Sequence, residues 1–210
     1  MAKIFCFGDS ITYGAWDMTG GGWATRLRVL LDAQQAADPN LYFLTYNIGV
    51  CGETTAGLVS RFLPDVQARL NSAKQEELIF IFAYGTNDAC FTPSQNRFRV
   101  EIDDFEKNLE SVIGQAKKFG GKIFILNISP VDESQASHPE NKDNSRFNKY
   151  VDSYNDRIKA LAAREDIQFI DINAAFRGHD YLSLLCEDGL HPNDSGHEVI
   201  FREVLKNLGF

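Results

Sequence analysis

Long apolar runs, basic charge and signal-like segments are all scarce in this sequence. No apolar stretch approaches the ~20 residues that a membrane-spanning helix needs, and Met1-Ala2-Lys3 leads directly into an apolar segment, without the charged start of a secretory signal. The net charge of −8 leaves no basic surface for nucleic acid or for an anionic membrane. These absences predict a cytoplasmic protein with no membrane span and no nucleic-acid partner.

Metal-ligand and phosphate-binding motifs are also lacking. The four cysteines are scattered without metal-ligand spacing, at Cys6, Cys51, Cys90 and Cys186. They are expected to be reduced thiols in a cytoplasm. Three successive glycines at 20–22 lack both the Walker lysine and the G-x-G-x-x-G spacing of a dinucleotide site. The sequence therefore predicts neither a metal nor another cofactor.

What the chain does contain is a regular alternation of apolar runs and helical patterns. The runs at 4–7, 41–49, 78–83, 122–127 and 167–171 have the length and composition of buried strands. Helical spacing of apolar residues follows each of them, at about 23–35, 55–70, 101–119, 145–164 and from 193. This order predicts one α/β domain over residues 1–210, with a parallel five-stranded sheet between two layers of helices.

Residues that could take part in catalysis follow four of the predicted strands. Ser10 follows the first, Gly49 the second and Asn87 the third, while Asp188 and His191 follow the fifth. The carboxyl ends of parallel strands project to the same edge, so these residues are expected to meet there. Each has a structural alternative, as a helix cap, a turn residue or a surface histidine. Their convergence favours chemistry.

Acyl transfer to serine needs a hydroxyl, a base, an orienting group for that base and donors for an oxyanion. Ser10 can supply the hydroxyl, His191 the base and Asp188, three residues earlier, the orienting carboxylate. The backbone N–H groups of Ser10 and Gly49 and the side-chain amide of Asn87 are the predicted oxyanion donors. Glycine at 49 allows close approach to a ligand because it has no Cβ.

Four short blocks occur in order along the chain: Gly8-Asp9-Ser10-Ile11-Thr12, Gly49, Gly85-Thr86-Asn87-Asp88 and Asp188-Gly189-Leu190-His191-Pro192. They resemble the four blocks of the GDSL or SGNH hydrolases, whose named residues fall here on Ser10, Gly49, Asn87 and His191. The resemblance spans nearly the whole chain. It implies a flavodoxin-like three-layer α/β/α fold and serine esterase, lipase or deacetylase chemistry without a metal. The second block departs from the usual pattern, reading Gly49-Val50-Cys51-Gly52.

The predicted function is hydrolysis of a small-molecule carboxylic ester through an acyl-enzyme on Ser10. The expected acyl groups are short, with acetyl among them, and thioesters are included as substrates. An acyltransferase with the same triad is one alternative. A non-catalytic flavodoxin-like module that holds a phosphate or flavin at the turn 10–12 is another. His197 is the rival base and is expected to be a surface or capping histidine. The polar segment 131–144 is expected to be a lid or an interface. Trp16 and Trp23 are each expected to lie either in the core or in a pocket wall. No oligomeric state is predicted.

Overall fold

The structure, a computed structural model, describes residues 2–70, 76–137 and 143–209. Its strands are β1 (Ala2–Gly8), β2 (Phe43–Gly49), β3 (Glu77–Ala83), β4 (Phe91–Thr92), β5 (Arg97–Phe98), β6 (Lys122–Leu126) and β7 (Gln168–Ile170). Its helices are α1 (Ser10–Tyr13), α2 (Trp23–Ala37), α3 (Thr55–Gln67), α4 (Ile102–Lys118), α5 (Glu133–Ala136), α6 (Asn148–Glu165), α7 (Ile172–Arg177) and α8 (Asp194–Leu208).

Five of the strands form one parallel sheet in the order β2-β1-β3-β6-β7. Every residue of β1 is buried, because β2 and β3 flank it and helices cover both faces of the sheet. With the two short strands set aside, this is the 2-1-3-4-5 order of flavodoxin-like folds. The predicted three-layer α/β/α fold with a five-stranded parallel sheet is confirmed.

Alternate side chains of β1 enter two different cores, one on each face of the sheet. Phe5 stacks on Phe80 of β3, with ring centroids 5.2 Å apart. Phe7 stacks on Phe82 of β3 at 5.8 Å and packs against Phe62 of α3 at 5.2 Å. Ile4 and Cys6 belong to the second core, beneath α2 and α8. Because both cores grip β1, the residues that follow this strand have a fixed position.

Several short elements were not predicted. The antiparallel hairpin of β4 and β5 and the helices α5 and α7 contain between two and six residues each. Such lengths are too short to show a hydrophobic period. The hairpin is joined to the chain before α6 by mutual backbone bonds of 2.9 Å between Phe91 and Ser145. It therefore places distant parts of the chain beside the carboxyl edge of the sheet.

Part of the predicted connection at 131–144 is occupied by α5. Residues 138–142 of it, with His138 and Pro139, lie outside the described residues, so its role as a lid or an interface stays a prediction. The single domain over 1–210 stays a prediction as well. Across the described ranges, no helix is both long and apolar enough to cross a bilayer.

Candidate active site

Ser10 is the first residue of α1 and lies just beyond β1, an interior strand of the sheet. Asp9 caps this helix, because its Oδ1 accepts the backbone N–H of Ile11 at 2.9 Å. The turn is tight at Gly8, where a Cβ would come within 2.8 Å of the carbonyl oxygen of Ala83. The sequence thus puts a serine hydroxyl at the carboxyl edge of the sheet on a rigid support.

Ser10, His191 and Asp188 form a continuous hydrogen-bonded chain. Ser10 Oγ lies 2.9 Å from His191 Nε2, and His191 Nδ1 lies 2.5 Å from Asp188 Oδ2. A carboxylate only accepts hydrogen bonds, so Nδ1 of a neutral imidazole carries the proton and Nε2 is left to accept the serine hydroxyl. The structure brings these three predicted residues together in an arrangement suited to nucleophilic chemistry.

The other oxygen of Asp188 fixes the loop itself. Asp188 Oδ1 accepts the backbone N–H groups of Leu190 and His191 at 2.9 and 3.0 Å. Burial alone would raise the pKa of Asp188. The hydrogen bonds from the side chain and backbone of His191 and from the backbone of Leu190 outweigh burial and lower the pKa to about 2. Asp188 is therefore ionised at neutral pH and holds the imidazole in one tautomer.

His197, the predicted rival base, does not lie on this chain of hydrogen bonds. Its ring is fully buried, where Nδ1 accepts the N–H of Trp23 at 3.3 Å and Nε2 lies 3.2 Å from the carbonyl oxygen of Ala15. Burial lowers the pKa of His197. The surface interpretation is wrong, and the capping interpretation describes what the ring does at the first turn of α2.

His197 also anchors the loop that carries Trp16. Trp16 has a φ of 70° and stands edge-on to the His191 ring, with centroids 6.1 Å apart. Its side chain is 58% exposed, whereas Trp23 is fully buried in the core. Of the two tryptophans, Trp16 thus forms the cleft wall. Sequence reasoning left the two indistinguishable, because both flank the same glycine-rich loop.

Asp17 holds the rest of this loop. Its two oxygens accept the N–H groups of Gly20 and Gly22 at 2.8 and 2.9 Å, and both also bind the guanidinium of Arg26. Burial raises the pKa of Asp17, but the bonds from Arg26 and the backbone lower it well below its usual range. The glycines therefore serve a loop that is wrapped around a carboxylate of the protein.

The structure does not support the predicted oxyanion role of Gly49. Its N–H donates to Oδ1 of Asn47 at 3.0 Å, and its Cα faces the backbone of Tyr13, where a Cβ would come within 2.1 Å of the nitrogen. Gly52, three residues on, lines the cleft with Ser10 instead. Within the described ranges, neither the N–H of Gly52 nor that of Ser10 has an acceptor.

Asn87 borders the same cleft and has a partner for each of its hydrogens. Its Nδ2 lies 3.2 Å from Asp9 Oδ2 and 3.1 Å from the carbonyl oxygen of Glu53. Its Oδ1 lies 3.4 Å from a guanidinium nitrogen of Arg99 and of Arg146. These contacts fix the orientation of the amide, with nitrogen toward the carboxyl and oxygen toward the arginines.

Asp88, the last residue of the third sequence block, is not among the residues that line the cleft. Its Oδ1 accepts the N–H and the hydroxyl of Thr55 at 2.9 and 2.6 Å, which fixes the start of α3 and the turn before it. Burial raises the pKa of Asp88, and these hydrogen bonds reduce the rise, leaving it at about 6. In the described part of the chain, no three His, Cys, Asp or Glu side chains come close enough together to hold a metal.

The cleft is open, with a volume of about 630 Å³. Trp16 and Met18 line one part of it, and Arg99 and Arg146, which both contact Asn87, line another. Sequence reasoning missed the arginines, because they lie in connections rather than at predicted strand ends. Their shared feature is that each lies next to the short hairpin of β4 and β5, and this hairpin becomes visible only in the structure.

Comparison with known proteins identifies the family of this chain. The model of the GDSL-like lipase/acylhydrolase family matches residues 6–199. An acetylxylan esterase of Geobacillus stearothermophilus is 26% identical over 99% of this chain and 94% of its own length. An isoamyl acetate-hydrolyzing esterase of Saccharomyces cerevisiae is 25% identical over 97% of this chain and 84% of its own length.

The solved structure of the Geobacillus acetylxylan esterase superposes with a TM-score of 0.72 at 25% identity, covering 99% of this chain and 94% of that one. Structures of its variants with a serine, an aspartate or a histidine changed to alanine are described as catalytic mutants. The predicted resemblance to the GDSL or SGNH hydrolases is confirmed, as is the prediction of a carboxylic ester hydrolase. The chain belongs to the GDSL-like lipase/acylhydrolase family.

Proposed function

We propose that this protein hydrolyses small carboxylic esters through an acyl-enzyme on Ser10. The observation that carries the proposal is the hydrogen-bonded chain from Ser10 Oγ through the His191 ring to Asp188. His191 Nε2 removes the hydroxyl proton as Oγ attacks the ester carbonyl carbon, and Asp188 stabilises the imidazolium that forms. The same order of groups in the Geobacillus esterase, where a serine, an aspartate and a histidine are catalytic, supports this assignment.

The reaction has two balanced halves. When the tetrahedral intermediate collapses, the bond between the carbonyl carbon and the alcohol oxygen breaks, and the leaving alkoxide takes the proton from His191. Water then attacks the acyl-enzyme, giving one proton to His191 Nε2, and the second collapse releases the carboxylic acid and returns the proton to Ser10 Oγ. An acceptor alcohol in place of water makes the same residues an acyltransferase.

The oxyanion donors we propose are the backbone N–H groups of Ser10 and Gly52 and the amide of Asn87. Gly52 replaces Gly49 in this assignment, because the N–H of Gly49 already donates to Asn47. Asn87 Nδ2 now donates one of its hydrogens to Asp9 Oδ2 at 3.2 Å, the longer of its two hydrogen bonds. We propose that this hydrogen is shared between Asp9 and the oxyanion during the reaction. Donors that are held in place before the reaction stabilise a developing negative charge without a cost of reorientation.

Short acyl groups, acetyl above all, are the proposed acyl part of the substrate. The relatives named for acetylxylan and for isoamyl acetate differ in the alcohol of their esters and share the acetyl group. The flavin-binding alternative is disfavoured, since a phosphate or flavin site has no use for a histidine clamped between a serine and an aspartate. The cytoplasmic location stays a prediction.

A fluorophosphonate probe and an ester panel test this proposal together. We expect the probe to label Ser10 and p-nitrophenyl acetate to be turned over. Ser10→Ala should lose both properties with an unchanged melting temperature, while Ser60→Ala, at a serine on the outer part of α3, should keep both. A label on another residue, or undiminished turnover by the Ser10→Ala variant, contradicts the proposal.

The labelled protein also distinguishes the two glycines. In a crystal structure of the adduct, the phosphonyl oxygen occupies the position of the oxyanion. We expect it to lie at hydrogen-bond distance from the nitrogens of Ser10 and Gly52. Contact with the nitrogen of Gly49, released from Asn47, would instead restore the prediction made from the sequence.

A further inference from the structure

Two arginines stand on one wall of the cleft, brought together by parts of the chain that are far apart in sequence. Arg99 follows β5, and its backbone N–H is bonded to the carbonyl oxygen of Cys90 at 2.9 Å. Arg146 precedes α6, next to Ser145, which is bonded to β4. The hairpin thus holds both guanidinium groups against Asn87, on a cleft that also contains Ser10.

Neither arginine has a carboxylate partner. No Asp or Glu among the described residues comes within 4.0 Å of Arg99 or Arg146, although both Arg26 and Arg61 make such pairs at under 3 Å. The acceptors of Arg146 are the carbonyl oxygen of Thr86 and the amide oxygen of Asn87, each at 3.4 Å. These are long contacts to neutral oxygens, beyond the usual range for a guanidinium. Arg99 donates to two neutral oxygens as well, the amide oxygen of Asn144 and, at 3.4 Å, that of Asn87.

Burial and like charge make this arrangement costly by itself. Burial lowers the pKa of Arg146, and the neighbouring Arg99 also lowers it. Cys90, Asp9 and Asp188 partly oppose this shift without contacting the guanidinium. Asp17, the acidic residue among those that line the cleft, is already engaged by Arg26, and Asp188 is engaged by His191. A wall with two adjacent cations and neutral acceptors is complementary to an anion supplied from outside.

We propose that Arg99 and Arg146 together bind a carboxylate on the substrate, so that the preferred esters are acidic at their acyl or alcohol end. The proposal rests on the function proposed above and deepens it. A guanidinium donates a parallel pair of hydrogen bonds that matches the two oxygens of a carboxylate. Such a carboxylate replaces the Asn87 oxygen as the acceptor and leaves the Asn87 nitrogen on the side of the oxyanion.

Matched acidic and neutral esters test this directly. One pair, p-nitrophenyl hemisuccinate and p-nitrophenyl butyrate, varies the charge at the acyl end; para-acetoxybenzoate and its methyl ester vary it at the alcohol end. The readout is the ratio of kcat/KM for the acid over its neutral partner. We expect this ratio to exceed one in at least one pair, and that pair identifies the end that carries the carboxylate.

Three glutamine variants remove the same unit of charge at different places. Arg99→Gln and Arg146→Gln should lower the ratio by about tenfold to a hundredfold, the usual worth of a hydrogen bond to a charged group. Arg97→Gln should leave it unchanged, because Arg97 is exposed on the same hairpin and faces Gln95. Arg99 is itself exposed, so its variant folds even if the more buried Arg146 proves necessary for stability.

Several outcomes would overturn the proposal: a ratio below one in both pairs, an equal fall in Arg97→Gln, or an unchanged ratio in Arg99→Gln. Calorimetry on Ser10→Ala with the amide para-acetamidobenzoate and its methyl ester provides a binding test that needs no turnover. Tighter binding of the acid, lost in a Ser10→Ala, Arg99→Gln double variant, supports the proposal. If neutral esters are hydrolysed as well as their acidic partners, this inference alone is contradicted. If no ester is hydrolysed, the proposed function itself is contradicted.

Discussion

The Asp9 carboxyl group beneath the candidate active site should make the protein less stable as pH rises. The side chain is buried, and its hydrogen-bond partners among the described residues are the N–H of Ile11 and the amide of Asn87. Burial raises the pKa of Asp9 from its ordinary value of 3.8 to about 7, despite the bond from Ile11 and the attraction of His191 and Arg146, with Asp88 adding to the rise. The folded protein therefore binds a proton more tightly than the unfolded chain does.

The size of the effect follows from linkage. A folded-state pKa of about 7 against 3.8 in the unfolded chain is a difference of about 3 pKa units, or about 4 kcal/mol of stability at about 1.36 kcal/mol per unit. This stability is fully present below the unfolded pKa and is lost as pH rises to the folded one. Asp9→Asn cannot titrate. The free energy of unfolding of the wild type, minus that of Asp9→Asn, should therefore fall by about 4 kcal/mol between pH 4 and 8.

Urea denaturation across that pH range measures both proteins. Asp88, whose pKa is also raised, and His197, whose pKa is lowered, titrate in both and largely cancel in the difference. The asparagine also loses one acceptor oxygen, a cost of about 1–3 kcal/mol that does not change with pH. Asp38→Asn is the matched control, since exposed Asp38 makes the same contact to a backbone N–H two residues on. Parallel profiles for the wild type and Asp9→Asn would refute the reasoning.

Two further predictions concern the histidines. Asp188→Asn should lower kcat/KM for p-nitrophenyl acetate by about 10²–10⁴-fold, because an amide nitrogen facing His191 favours the wrong tautomer; steady-state kinetics should show no such loss in Glu187→Gln, the neighbouring carboxylate. His197→Ala should lower the free energy of unfolding by about 2–4 kcal/mol, because it leaves a cavity and removes two hydrogen bonds. It should also raise KM, because the loop of Trp16 loses its anchor. An unchanged KM and melting temperature would contradict the anchoring role.

The sheet and the position of Ser10 could be predicted from the sequence because both depend on local patterns. A strand buried on both faces reads as an apolar run, as at 78–83, and the turn after β1 interrupts such a run with a glycine and a helix cap. The pairing of Asp188 with His191 is local too, since three residues in one loop separate them. What connects them to Ser10 is the parallel order of the sheet, which the alternation of elements predicts.

The acceptor of the Gly49 N–H could not be predicted, because it is set by one side-chain contact. Spacing along the chain identifies a glycine-containing turn after β2, and it does not reveal that Asn47 folds back to accept the N–H of Gly49. The burial of His197 was missed for a similar reason. It lies on the inward face of α8, where its ring nitrogens contact the N–H of Trp23, at the start of α2, and the carbonyl oxygen of Ala15, in the loop before α2. Both partners are far from His197 in sequence.

The structure separates the groups proposed for the reaction from those proposed for substrate choice. Ser10 follows β1, an interior strand that packs into both cores, and the chain of hydrogen bonds to Asp188 depends on that rigidity. The cleft walls come from separate segments, each with its own support: the loop of Trp16 on Asp17, and the hairpin of Arg99 on its bonds to neighbouring backbone. Substitutions in the walls can therefore change which ester is bound while the alignment of Ser10 with its base stays intact.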